Sequence, residues 1–395
     1  MRTWAILLSL SVVPASVSAS TGDQTAPPPA TPSTPDVVGG RQAPTGKWND
    51  TAGAMAPEGY ALCTGTLIAP NVVITAGHCI NQGITSVKLG VNDYMAPDGE
   101  EIAVSQQIEY PNSQSTYDVG LLILARSSSY TPRAIASGCV IERSLHDGAS
   151  AHIVGYGAID EQGEEYTSEL REAETTVTDA DCSGGRGCNG AVYPGGELAA
   201  GGGGIDACFG DSGGPLYLDD PGTTFVVGVT SRGFYDVEVP CSEGGIWVRP
   251  DAVIDWIETT AQITLPRAVC PTAESIDLEV EAGEVTSTAI QINGSAPPAN
   301  LTLGTGTPPM HGDVATEADG SVHYRARDDY EGTDTFSVVV KESGVATGGV
   351  TFTVNVVPNS GGCGCRAGGR GAPATLALVG LALLLPLRRR RRREP

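Results

Sequence analysis

Short apolar runs alternate with turn-rich stretches between Val37 and about Cys270, and this alternation constrains the possible fold more than any other feature of the sequence. Examples are VVIT, VGLLIL, AHIVGYG and FVVGVT. Apolar runs of this length, bounded by Gly, Pro, Asn and Asp, are typical of β-strands. The composition agrees, since 52 Gly and 27 Pro in 395 residues favour strands and turns over long helices. We therefore predict an all-β sandwich or barrel domain in this region.

One helix is predicted at the end of this domain, from the sequence RPDAVIDWIETT. Apolar residues recur there at helical spacing. Its apolar stripe consists of Val253, Ile254, Trp256 and Ile257.

A second β pattern occupies residues 275–357. TFSVVV and VTFTVNVV alternate there with Gly- and Asp-rich turns. A segment of this length suits a small antiparallel β-sandwich. No cysteine falls within it.

Both ends of the chain have the composition of targeting segments. Arg2, the apolar run AILLSLSVV and the small residues VSAS predict a signal peptide over residues 1–19. Residues 20–36 are rich in Pro and Thr and are expected to form an exposed propeptide. Residues 358–371 are a Gly/Cys linker, and residues 372–395 combine an apolar segment with six arginines. Such a tail predicts membrane or cell-surface attachment, with the arginines on the cytoplasmic side.

Charge and cysteine content narrow the range of partners. The net charge is −23, which would repel nucleic acid, so no nucleic-acid partner is expected. Export implies an oxidising compartment. Most of the ten cysteines are therefore expected to be paired.

Three polar residues stand out by their flanking sequences. Ser212 lies in DACFGDSGGP, where glycines permit a tight turn around a serine. A serine is a weak nucleophile until a base takes its proton. His78 follows VVIT in TAGHC, and Asp118 immediately precedes the apolar run VGLLIL. Taken alone, each of these two residues is more often structural than catalytic.

Together, TAGHC, DVGLL and GDSGGP in the order His, Asp, Ser resemble the chymotrypsin-like (trypsin) family of serine proteases over residues 37–260. The order excludes the α/β-hydrolase and subtilisin arrangements. The resemblance implies a two-barrel protease domain over residues 37–270 with a C-terminal helix.

The resemblance also implies a role for each residue. Ser212 would attack a peptide carbonyl, His78 would take and return its proton, and Asp118 would orient the imidazole. The main-chain N–H groups of Gly210 and Ser212 would form the oxyanion hole. Since His78 must be neutral to act as a base, activity is expected to fall below about pH 6–7.

No cofactor or metal is predicted. Some family members bind calcium in the loop that corresponds to residues 90–101. Val91 stands where that loop begins with a glutamate in those members.

Substrate preference follows from Asp206, six residues before Ser212. In trypsin-like members this position is the carboxylate at the bottom of the substrate pocket, which implies cleavage after Arg or Lys. The implied pocket walls include Ser231, Gly233 and Gly245. Arg232 departs from the family, which usually has an aromatic residue there, so the preference one residue further along the substrate is left open.

Activation is implied by VVGG, which resembles the mature N-terminus of the family. Cleavage before Val37 would free an α-amino group that pairs with Asp211. The preceding residue is Asp36, and an enzyme that cuts after Arg or Lys would not cut there. A separate activating protease is therefore expected.

The resemblance implies two disulfides, Cys63–Cys79 beside the histidine and Cys208–Cys241 beside the pocket. Cys182 and Cys188 are expected to close a short loop. This leaves Cys139 and Cys270 as a further pair.

Two more resemblances concern the C-terminal part. DGSVHYRARDDYEGTDTFSVVV resembles the cadherin-like or Ig-like repeats of bacterial surface proteins, and a stalk is favoured over a ligand-binding role. The tail resembles the myxobacterial C-terminal sorting signal. Cys363 or Cys365 would then mark its processing or attachment site.

The sequence thus predicts an exported, surface-sorted serine endopeptidase acting on proteins or peptides. Within enzymes, the alternative is the same protease with another substrate preference. A catalytically inactive surface binding protein is an alternative from a different class, although all three catalytic residue types are present. A third alternative is an adhesin in which residues 275–357 bind the ligand.

Overall fold

The computed structural model describes residues 37–113, 117–192 and 195–359. The predicted signal peptide, propeptide and C-terminal tail, with Cys363 and Cys365, lie outside the described residues. Within the described ranges, no helix has the length and apolar character needed to cross a membrane.

A closed barrel of six antiparallel strands forms the first half of the larger domain, in the order β2-β3-β4-β7-β6-β5. The strands up to this point are β1 (Arg41–Gln42), β2 (Thr51–Met55), β3 (Ala61–Ala69), β4 (Val72–Thr75), β5 (Ser86–Leu89), β6 (Glu100–Glu109) and β7 (Gly120–Leu124). Strand β4 is buried on both faces. Its Val73 lies in the barrel core, whereas Val72 and Ile74 pack in the cluster between the two barrels. This double burial explains why VVIT is a continuous apolar run.

A second barrel follows, in the order β8-β9-β10-β13-β12-β11, and β8 pairs with both β9 and β11 to close it. Its strands are β8 (Ser150–Gly155), β9 (Arg171–Asp179), β10 (Glu197–Ala200), β11 (Pro215–Asp220), β12 (Thr223–Gly233) and β13 (Gly245–Val248). Strand β1 extends this sheet beside β9. The buried side chains of Trp247, Phe225 and Leu216 lie in its core. The predicted two-barrel, all-β fold is therefore confirmed.

Two short helices accompany the barrels, α1 (Cys139–Ser144) and α2 (Ile254–Ala261). The predicted C-terminal helix begins with a 3₁₀ turn, Pro250–Val253, and continues as α2. Val253, Ile254 and Ile257 of its predicted stripe are buried, and Trp256 packs partly buried beside them. Helix α1 escaped the sequence analysis because six residues with one buried side chain carry too little periodicity.

The smaller domain is a β-sandwich, as predicted. Its strands are β14 (Ser275–Glu281), β15 (Val285–Ala289), β16 (Leu301–Thr305), β17 (Gly312–Thr316), β18 (Ser321–Ala326), β19 (Gly332–Glu342) and β20 (Val345–Val357). A four-stranded sheet, β14-β20-β19-β16, faces the three-stranded sheet β15-β18-β17. Phe336 stacks between Tyr324 and Phe352 in the core. One pair, β14–β20, is parallel, where the sequence analysis expected only antiparallel pairing.

The sandwich packs directly against the second barrel. Val345, at the start of β20, is buried in the core cluster of that barrel. The Val269 N–H donates to the Thr347 carbonyl at 2.6 Å. A β-carbon at Gly349 would lie 1.8 Å from the Pro221 carbonyl oxygen, so only glycine permits this approach. The two domains are therefore in close backbone contact.

Candidate active site

Two neighbouring strands bring His78 and Asp118 together. His78 lies in the 3₁₀ turn Gly77–Cys79 shortly after β4, and Asp118 lies two residues before the start of β7, which pairs with β4. The Asp118 carboxylate contacts His78 Nδ1 at 2.8 Å and accepts the His78 main-chain N–H at 2.9 Å. The Ser231 hydroxyl donates to the same carboxylate at 2.6 Å. Asp118 therefore fixes both the ring and the backbone of His78.

The two groups shift each other's protonation. The hydrogen bond to Asp118 raises the pKa of His78 above its ordinary value, although burial opposes this. Burial alone would raise the pKa of Asp118, but the hydrogen bonds from His78 and Ser231 outweigh it and lower that pKa. Asp118 is thus ionised at neutral pH and stabilises a positive charge on the imidazole.

Ser212 lies on a tight turn that leads into β11. Gly213 has a φ of +81°, and a β-carbon there would lie 2.0 Å from the Thr75 hydroxyl. The Thr64 N–H donates to the Ser212 carbonyl at 2.9 Å and anchors the turn to the first barrel. Ser212 and His78 line the same cavity, of about 290 Å³. The turn therefore places the serine at the junction of the two barrels, in the cavity that the histidine also lines.

The N–H groups of Gly210 and Ser212 lie on this turn. Gly210 has a φ of +99°, and its carbonyl accepts the Thr64 hydroxyl at 3.0 Å. Among the described residues, none accepts a hydrogen bond from either N–H group. Two donors beside the serine hydroxyl are thus available to an anionic oxygen.

Asp206 lines the same cavity and is 1% exposed. Its Oδ2 accepts the N–H groups of Ser242 and Gly244 at 2.9 and 3.1 Å. Its Oδ1 is buried and has no hydrogen-bond partner within the described ranges. Burial raises the pKa of Asp206 to about 7. The carboxylate can therefore accept a further donor that enters the cavity.

The predicted wall residues Ser231, Gly233 and Gly245 all line this cavity. A β-carbon at Gly245 would lie 3.4 Å from Asp206 Oδ1, so glycine keeps the approach to the carboxylate open. Trp247 also lines the cavity, and the sequence analysis missed it. Its position two residues after the predicted wall residue Gly245 could have identified it.

Asp211 lies beneath the turn and is fully buried. Its two oxygens accept the N–H groups of Gly157 and Cys208 at 2.8 and 2.9 Å. Burial raises its pKa to about 6. Val37 is 1% exposed and packs in the core of the second barrel. In this uncleaved chain, no ion pair joins Val37 and Asp211 in the described part.

The turn that contains Val38 lies beside the substrate cavity, since the Asp206 N–H donates to the Val38 carbonyl at 3.0 Å.

The structure contains the expected disulfide pairs. They are Cys63–Cys79, Cys139–Cys270, Cys182–Cys188 and Cys208–Cys241. Cys208 and Cys241 line the cavity.

Comparison with known proteins agrees with this architecture. The Trypsin family model matches residues 37–257, and the bacterial Ig domain model matches residues 269–355. Serine protease 56 from Mus musculus is 31% identical over 241 residues, which cover 56% of this chain and 38% of that protein. Serine protease 56 from Homo sapiens is 29% identical over 242 residues, with the same two coverages. The chain thus spans well under half the length of these relatives.

Among solved structures, the chain resembles neuropsin, a serine protease expressed in the limbic system of mouse brain. The identity is 28% and the TM-score 0.47, over 56% of this chain and 98% of neuropsin. Because the trypsin family model covers more than half of the sequence, this chain belongs to the trypsin family of serine proteases, with a bacterial Ig-like domain after its two barrels.

Proposed function

We propose that this chain is an exported serine endopeptidase that cleaves peptide bonds after Arg or Lys. One observation carries the proposal: Oδ1 of Asp206, which has no hydrogen-bond partner among the described residues, borders the cavity that Ser212 and His78 also line. A cationic side chain held there would pair with the carboxylate and lie beside the nucleophile.

In the proposed reaction, Ser212 Oγ attacks the peptide carbonyl carbon while His78 Nε2 takes the hydroxyl proton. The resulting oxyanion accepts hydrogen bonds from the N–H groups of Gly210 and Ser212. His78 then donates the proton to the leaving amine, and the C–N bond breaks. Water, activated by the same histidine, hydrolyses the acyl-enzyme and restores the serine. Asp118 holds the tautomer of His78 that this sequence requires.

Substrate preference in this proposal comes from Asp206. An unpaired buried charge is costly, and a guanidinium or ammonium group offsets that cost. Aliphatic and aromatic side chains would leave the carboxylate desolvated and unpaired. Arg and Lys are therefore the preferred residues before the cut.

Activation would require cleavage between Asp36 and Val37. The freed α-amino group of Val37 would then turn inward to Asp211, whose carboxylate lies beneath the Ser212 turn. The burial of Val37 in the core of the second barrel supports this. Since Asp36 does not match the proposed preference, a separate protease performs this step. The predicted signal peptide and tail would place the enzyme in the outer envelope or release it from there.

The test is to expose Val37 as the N-terminus and compare peptides with Arg, Lys, Phe or Ala before the cut. We expect turnover of the Arg and Lys peptides, labelling of Ser212 by a fluorophosphonate, and loss of both in Ser212→Ala. Turnover of only the Phe and Ala peptides would refute the role of Asp206. Absence of both turnover and labelling would favour a binding protein on a protease fold.

A further inference from the structure

A second cavity, of about 550 Å³, continues from the substrate cavity. The two cavities share His78, Ser231 and Arg232. Asn189 and Tyr235 line the second cavity only. A peptide whose Arg or Lys side chain enters the first cavity would place one of its preceding residues in the second.

Arg232 is held rigidly at the boundary of the two cavities. Its Nη1 and Nη2 donate to the two carboxylate oxygens of Glu197 at 2.7 and 2.8 Å. Nη2 also donates to the Gly187 carbonyl at 3.0 Å. A two-pronged contact of this kind fixes the plane of the guanidinium. Arg232 is therefore a preformed element of the cleft.

The charges that line the second cavity are unequally accessible. The Arg232 side chain is 30% exposed, whereas the Glu197 side chain is 4% exposed and that of Asp118 is 15% exposed. Asp118 is also occupied by His78 and Ser231. A substrate side chain that enters the cavity therefore contacts the Arg232 guanidinium first, because the carboxylates of Glu197 and Asp118 are less exposed and already hydrogen-bonded.

Further hydrogen-bond donors surround the guanidinium. The Asn189 side-chain oxygen accepts the Ala191 N–H at 3.0 Å, so its amide nitrogen is the group left to meet a ligand. The longest Arg232 hydrogen bond runs from Nη1 to the Ser231 hydroxyl at 3.3 Å. This N–H can instead donate to a stronger acceptor on the substrate. The cavity thus offers donors to the substrate.

We propose that this cavity selects a substrate residue with an acceptor-bearing side chain, Glu, Gln, Asp or Asn, shortly before the Arg or Lys at the cut. The inference rests on the proposed function and makes Arg232 a specificity-determining residue. An aliphatic or aromatic side chain would desolvate the Arg232–Glu197 pair without replacing its hydration. A Lys side chain would face a like charge.

The test uses the full chain activated at Val37 and peptides with Arg before the cut. Each of the three preceding positions is varied in turn among Glu, Gln, Leu and Lys. We expect one position at which Glu and Gln exceed Leu and Lys by about three- to tenfold in kcat/KM. The advantage of Glu, but not that of Gln, is expected to shrink at high salt. Leu or Lys equal to or better than Glu and Gln at all three positions overturns the inference.

The informative variant combines Arg232→Met with Glu197→Gln, because Arg232→Met alone would leave a buried unpaired carboxylate. In the double variant, the preference is expected to fall below about twofold while Ser212 still reacts with a fluorophosphonate. Arg186→Met is the matched control, since Arg186 also forms ion pairs, with Asp236 and Glu243, but does not line the second cavity. The preference must persist in this control.

A preference that survives in the double variant refutes the assignment of Arg232. Cleavage without any preference at these positions refutes the inference but leaves the proposed function standing. Failure of every peptide, together with no labelling of Ser212, refutes the proposed function and this inference with it.

Discussion

The floor of the substrate cavity and the packed interior beneath the Ser212 turn each contain one buried carboxylate, Asp206 and Asp211. Burial raises the pKa of both, to about 7 and about 6. Asp211 has both oxygens occupied by main-chain N–H groups. Asp206 has one oxygen without a partner in the described residues. Both aspartates lie in one loop, but the carboxylate of Asp211 has its oxygens hydrogen-bonded to the backbone, whereas the carboxylate of Asp206 can still accept a hydrogen bond.

The space around the two carboxylates differs in the same sense. β-carbons at Gly155 and Gly157 would lie 2.0 and 2.5 Å from Asp211 side-chain oxygens, so larger residues at these two positions would collide with the carboxylate. Asp206 instead borders a cavity of about 290 Å³. A sealed carboxylate supports the backbone around it, whereas an open one is suited to recognise a ligand. Changes at Asp211 should affect all substrates, and changes at Asp206 only cationic ones.

The largest effect is expected for Asp211→Asn. The amide NH₂ would face a main-chain N–H that now donates to the carboxylate, and it could not pair with the α-amino group of Val37. Because the turn carries the oxyanion donors, kcat/KM should fall by about 10²–10³-fold for Arg, Lys, Phe and Ala peptides alike. Steady-state kinetics with the four peptides measures this, with circular dichroism as the control for folding. A loss confined to Arg and Lys would contradict the comparison.

Asp206→Asn should have a smaller and selective effect. Without the charge, kcat/KM for Arg and Lys peptides is expected to fall by about 10²-fold, the lower end of what an unpaired buried charge costs. The Phe and Ala peptides should stay within about threefold of their original rates. Competition between Arg and Ala peptides in one reaction measures the ratio of their kcat/KM values directly. An equal loss for both peptides would make Asp206 structural like Asp211.

The smallest expected effect is a difference in the pH dependence of kcat/KM between Arg and Ala peptides. An Arg peptide needs Asp206 ionised and His78 neutral, whereas an Ala peptide needs only neutral His78. With a pKa of about 7, the ionised fraction of Asp206 falls about tenfold between pH 8 and pH 6. The kcat/KM profile of the Arg peptide should therefore fall more steeply on the acid side. Asp206→Asn should remove the extra slope, and parallel profiles in the unaltered enzyme would argue against the role of Asp206.

Much of the site could be placed from sequence because its residues lie in short stretches whose backbone is locally determined. VVIT and VGLLIL had to be buried strands, and their pairing brings His78 to Asp118. Glycines with positive φ at 210 and 213 mark the turn that carries Ser212.

Partners chosen by tertiary packing could not be predicted in this way. Glu197 and Arg232 are 35 positions apart, and no motif links them. The parallel pairing of β14 with β20 depends on which strands the chain brings together across the whole sandwich. Local patterns contain little information about such contacts.

Val345 belongs by sequence to the Ig-like sandwich but lies in the hydrophobic core of the neighbouring barrel. Replacing this sandwich by an unrelated module would leave a hole in the barrel. Gene rearrangements that separate the two parts should therefore be selected against, and the pair is expected to be inherited together.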